Sequence, residues 1–135
     1  MQSWGLTDQG CVRKQNQDAY HIEQLDRASL LCIVCDGMGG AKSGNIASSL
    51  AVDVFVEEVR RTWTPGITQH KLEQMLRSAV KLANFTVFDQ AQQFEEFDGM
   101  GTTLVAVLIR GHRATVVNVG DSRAYKVDGD GIRQI

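Results

Sequence analysis

Proline is almost missing from this sequence: Pro65 is the single one in 135 residues. No low-complexity tract, linker or internal repeat is present, which argues against disordered and repeat architectures. Neither sign of charge dominates. Fourteen basic residues stand against 16 acidic ones, for a net charge of -2, and this gives no electrostatic case for binding nucleic acid or an anionic membrane. No apolar run is long enough to span a bilayer. The first residues, Met1-Gln2-Ser3-Trp4-Gly5, lack the basic stretch and apolar core of a signal peptide. The His/Cys spacings that zinc prefers are absent as well.

Cysteine is scarce, with only Cys11, Cys32 and Cys35. An odd count without a secretion signal predicts reduced thiols and a cytoplasmic location. Cys32 and Cys35 have C-x-x-C spacing but lie inside the apolar run of residues 30–35. Residues three apart on a strand point to opposite faces, so the pair is expected to pack as small hydrophobes and not to share a zinc ion or a disulfide.

What is present is an ordinary globular composition, 43% hydrophobic and 22% charged, in a length that suits one domain with a real core. Strands are predicted at residues 3–7, 19–24 and 30–35, with turns at Asp8-Gln9-Gly10 and Asp26-Arg27. Helical periodicity follows from Ser43 or Gly44 to Arg61, with Ile46, Leu50, Val54 and Val59 recurring and Ala47, Ala51 and Phe55 on the adjoining face. A second helix is predicted from a Thr68 N-cap to Gln93, with Leu72, Met75, Leu76, Ala79, Leu82, Ala83 and Phe85 or Val87 inward. Residues 102–109, 114–119 and 122–127 read as strands joined by the Gly111-His112 turn and the 128–131 hairpin turn. Links this short require antiparallel neighbours, so the order of elements predicts α+β, with helices packed on an antiparallel sheet. Residues 131–135 look like a strand beginning. A sheet halted there leaves an open apolar edge that is expected to pair with a second copy.

Asp18, Asp36 and Asp121 are the acidic positions of interest. Asp36 ends a buried strand and runs straight into Gly37-Met38-Gly39-Gly40. Asp121 ends another apolar strand, and Asp18 precedes one. Carboxylates converging at strand ends repel one another unless a cation lies between them, and oxygen ligands suit Mg²⁺ or Mn²⁺. Taken singly, an Asp before glycine is a turn former. Residues 36–43 come near a phosphate-binding loop but have Asp36 and Ala41 where its glycines belong. His21, His70 and His112 have no nucleophile beside them and are expected at the surface.

Four segments, in order, resemble the type 2C family of metal-dependent serine/threonine phosphatases, its bacterial branch in particular. They are Gly5–Gly10 with Val12-Arg13 and Asn16-Gln17-Asp18-Ala19; Asp36–Gly40 with Ala47-Ser48; Gly99–Leu104; and Gly120–Tyr125. The resemblance implies a sandwich of two antiparallel sheets with helices outside, of which residues 1–135 form the N-terminal part. It implies hydrolysis of phosphoserine and phosphothreonine in proteins by a water bridging two Mn²⁺ or Mg²⁺ ions, with two or three ions in the complete domain, and opposition to a serine/threonine kinase. Asp36 is implied as the bridging ligand and Asp18 as a metal or metal-water ligand. The Gly37 carbonyl and Asp121 would complete the set available here, with Arg13 binding the substrate phosphate. Gln17 replaces a glutamate of many members, and Met38 stands where the animal members have a histidine, the bacterial pattern having Met as well. The family's later aspartates fall beyond Ile135, so the 135-residue chain is expected to be inactive or weak. The alternative is a non-catalytic module that recognises phosphoproteins or a partner subunit.

Overall fold

The computed structural model describes residues 1–39 and 43–135. Gly40 of the glycine-rich turn, and Ala41 and Lys42 of the phosphate-loop comparison, lie outside them. In chain order the elements are β1 (Asp18–Asp26), β2 (Ser29–Met38), α1 (Gly44–Thr62), α2 (Gln69–Gln93), a 3₁₀ turn (Glu95–Phe97), β3 (Gly101–Thr102), β4 (Leu104–Arg110), β5 (Arg113–Val119), β6 (Tyr125–Asp128) and β7 (Gly131–Gln134). Every strand pairing is antiparallel. Five strands form one sheet in the order β1-β2-β4-β5, with β3 also on β2, while β6 and β7 make a separate two-stranded sheet. With its two long helices this is an α+β fold.

β2 is the spine of the sheet, and its alternation decides which face is covered. Leu31, Ile33 and Cys35 are buried under the helices, whereas Val34 and Asp36 emerge on the other face. α1 lies across β1 and β2, and α2 lies against α1. Phe55, Leu72, Leu76 and Val59 are fully buried between them. The opposite face of the sheet leaves Tyr20 and Val34 exposed at 40% and 46%. Among the described residues no helix is long and apolar enough to cross a membrane.

Several local expectations change. Residues 3–7 form no strand. β2 continues through Asp36 to Met38 because Gly37 pairs with Thr102 and Met38 with Gly101. On α1 the buried stripe is Ala47, Ser48, Ala51, Val52, Phe55, Val56 and Val59, while Ile46, Leu50 and Val54 are only half-buried beside it. On α2, Leu82 and Phe85 face outward at 42% and 65% exposure, and Ala91 joins the core. The buried face of α2 carries the alanines Ala79, Ala83 and Ala91, and small side chains there suit close helix packing. The run from residue 102 breaks at Thr103. The meander also divides, since β6 pairs with β7 and not with β5.

Candidate active site

The N-terminal end of β1 and the C-terminal end of β2 lie side by side, so Asp18 stands directly opposite Asp36. The hairpin register forces this juxtaposition. Tyr20 pairs with Val34 and Ile22 with Cys32, and the two carboxylates follow at the end of the same face, because successive side chains alternate. Burial first, then the charge of Asp36 and hydrogen bonding to it, push the Asp18 carboxyl above its ordinary value, while nearby Arg13 works against the rise. Such a like-charge pair is electrostatically unfavourable by itself and favours a cation.

Two clefts meet at Asp36. The larger, about 660 Å³, is lined by Arg13, Gln17, Asp36, Gly37, Met38 and Asp121 among others. The smaller, about 320 Å³, has Asp8, Arg13, Gln17, Asp18 and Asp36 in its wall. The structure therefore brings Asp18, Asp36 and Arg13 together and sets Asp121 in the wall of the larger cleft. Among the described residues, no group of three or more His, Cys, Asp or Glu side chains comes together that could hold a metal ion. The donors match Mg²⁺ or Mn²⁺ in kind, being oxygens of an adjoining carboxylate pair. In number they supply only the start of a shell.

The backbone around this pair is held tightly. Gly37 N–H donates to the Gln17 carbonyl at 3.0 Å, and Ser48 Oγ donates to the same carbonyl at 2.7 Å. Gln17 Nε2 reaches the Gly39 carbonyl at 3.5 Å. On the approach to β1, Asp8 Oδ1 accepts the Gly10 N–H at 2.7 Å, and Asn16 Oδ1 accepts the Asp18 N–H at 3.0 Å. Asp36 N–H donates to Thr103 Oγ1 at 3.0 Å, and Thr103 N–H to the Asp36 carbonyl at 2.9 Å.

Ser48, Thr103 and Ser122 were visible in the sequence only as parts of motifs. Their signal was a small hydroxyl residue within or beside an apolar pattern, and burial gives it meaning, since Ser48 is 0% and Thr103 3% exposed. Of the histidines, His70 and His112 are exposed as expected. His21 is half-buried and bonded to Glu23 at 3.1 Å, away from the carboxylate pair. Cys32 and Cys35 do face opposite sides, the first half-buried and the second in the core, where burial pushes the Cys35 thiol up to about 12.

The family model described as Protein phosphatase 2C matches residues 12–135. The serine/threonine phosphatase stp of Listeria innocua is 33% identical over 129 residues, which is 96% of this chain and 51% of that protein. The crystal structure of the serine/threonine phosphatase Stp1 from Staphylococcus aureus superposes with a TM-score of 0.87 at 38% identity, covering 96% of this chain and 50% of that one. The catalytic domain of the phosphatase PstP, in complex with 2 manganese ions, does so at 0.76 and 32%, covering 95% and 51%. The chain thus spans about half the length of such relatives. With its matching family model, its fold and its paired carboxylates at the strand ends, the chain belongs to the protein phosphatase 2C family.

Proposed function

We propose that these residues are the N-terminal part of a single phosphatase domain that hydrolyses phosphoserine and phosphothreonine in proteins. The observation that carries this reading is the Asp18–Asp36 pair beside Arg13, at the junction of two clefts. Asp36, Asp18 and the Gly37 carbonyl would hold Mn²⁺ or Mg²⁺, with Asp121 approaching from the larger cleft. When bound, such ions supply an activated water and neutralise charge on the phosphoryl oxygens. The Arg13 guanidinium would bind the substrate phosphate through paired hydrogen bonds and orient it over the carboxylates. Relatives that are serine/threonine phosphatases, one of them solved with 2 manganese ions, support the assignment. The substrates would then be proteins phosphorylated by a serine/threonine kinase.

The test is hydrolysis of a phosphothreonine peptide by the whole protein. Turnover should require Mn²⁺ or Mg²⁺, stop with chelator, and fall by on the order of 100-fold in Asp36→Asn. Turnover that survives both chelation and Asp36→Asn would refute the assignment. The 135-residue chain by itself should be inactive or weak, because its described residues bring together no larger ligand cluster.

That same shortage favours a second reading, in which the module recognises phosphoproteins or a partner subunit without catalysis. Saturable binding of the phosphopeptide with no phosphate release from the whole protein would select it.

A further inference from the structure

We infer that Thr103 is a positioning residue that locks the Asp36 backbone to the segment carrying Asp121, fixing the placement of the two carboxylates across the cleft. The inference rests on the metal-site reading above, but its geometry stands separately. The β2–β4 register pairs Val34 with Val105, and the β2–β3 register pairs Gly37 with Thr102. Carrying this register across the gap sets Thr103 opposite Asp36. An ordinary antiparallel pair of this kind exchanges two backbone hydrogen bonds. Here one is kept, from Thr103 N–H to the Asp36 carbonyl at 2.9 Å. In the other, the Asp36 N–H goes to Thr103 Oγ1 at 3.0 Å, so a side-chain hydroxyl replaces the main-chain acceptor. The displaced Thr103 carbonyl accepts Thr102 Oγ1 at 2.9 Å.

A hydroxyl has one donor and two acceptor positions, so this one has capacity left, and it is used. Thr103 Oγ1 and Ser122 Oγ lie 2.6 Å apart, and Ser122 is the neighbour of Asp121. The methyl of the same side chain fills the space over Gly120, where a Cβ would come within 2.8 Å of Thr103 Cγ2. From the other side, Asn118 Nδ2 donates to the Ser122 carbonyl at 2.9 Å. One buried side chain thus touches both carboxylate-bearing segments. Valine has nearly the same shape and cannot make either hydroxyl bond, whereas serine can make both.

The experiment measures amide hydrogen exchange at Asp36 and residues 120–123, and Mn²⁺ affinity by calorimetry, in wild type, Thr103→Val, Thr103→Ser and Ser122→Ala. Thr103→Val should speed exchange at both places and weaken Mn²⁺ binding, each by about tenfold. Thr103→Ser should stay within about twofold of wild type. Ser122→Ala should loosen 120–123 while leaving the Asp36 amide protected, which a general loss of stability would not do. Wild-type exchange at 120–123 in Thr103→Val overturns the lock. Should that variant fail to fold, unchanged exchange at 120–123 in Ser122→Ala overturns it equally. No Mn²⁺ binding by wild type itself would remove the metal-site reading, and the exchange data would still decide the lock.

Discussion

A Cβ placed on Gly37 would stand 1.9 Å from the Gly44 carbonyl oxygen and 2.6 Å from that of Gln17. Both are backbone atoms, so no side-chain rotation relieves the clash. Gly37→Ala is therefore expected to cost about 3 kcal/mol or more. Gly129→Ala, where no neighbour lies within 4 Å, should stay within about 0.5 kcal/mol. Urea denaturation of the two variants checks the contrast. Glu23 gives the pH dependence at this scale. Burial acts to raise its carboxyl, but the hydrogen bonds from Arg60 and His21 prevail and hold it below the ordinary glutamate value. A carboxylate lowered on folding stabilises the protein above its unfolded value, and the benefit fades as pH falls through the folded value. Glu23→Gln should thus lower the melting temperature modestly near neutrality. The difference should fade in acid as pH falls through that lowered folded value, as thermal melts across that range would record.

At the scale of elements, α1 and α2 separate stability from exposure. Phe55 on α1 is 0% exposed in the core, whereas Phe85 on α2 is 65% exposed. Phe55→Ala is expected to lose about 3–5 kcal/mol, and Phe85→Ala no more than about 0.5 kcal/mol. Periodicity alone offered Phe85 and Val87 as alternatives for the buried position. The choice of Val87 follows from the alanine-rich side of α2 turning toward α1, with Ala79, Ala83 and Ala91 all buried. Thr68 caps α2 by accepting the Lys71 N–H at 3.4 Å, so Thr68→Ala should cost about 1 kcal/mol in equilibrium denaturation. The β1–β2 hairpin is the element that makes the site. A slip of one residue would turn Asp18 and Asp36 to opposite faces.

In the whole molecule, much apolar surface lies open. Val34 and Tyr20 are exposed on the sheet, and Val127 and Ile132 are each 72% exposed on the β6–β7 hairpin. Exposed strand edges and apolar faces of this kind favour association. The 135-residue chain is expected to self-associate, with light scattering giving a mass above that of one chain and rising with concentration. A clean monomer at high concentration would count against the exposed edge as an association site.

Much of this was legible in residues that act locally. Gly10 and Asp8 specify their turn, Thr68 its cap, and the 30–35 run its strand, because neighbours in sequence decide such features. Asp18 and Asp36 stood out for the same local reason, one before a strand and the other straight after the 30–35 apolar run and before glycines. The sequence could not show that the strand passes through Asp36, that β6 leaves the sheet, or which face of α2 is buried. It also could not show that Thr103 and Ser122, 19 residues apart, share a hydrogen bond. These depend on pairing between segments distant along the chain. Local preference there is weak, and the register of β2 against β3 and β4 settles the outcome.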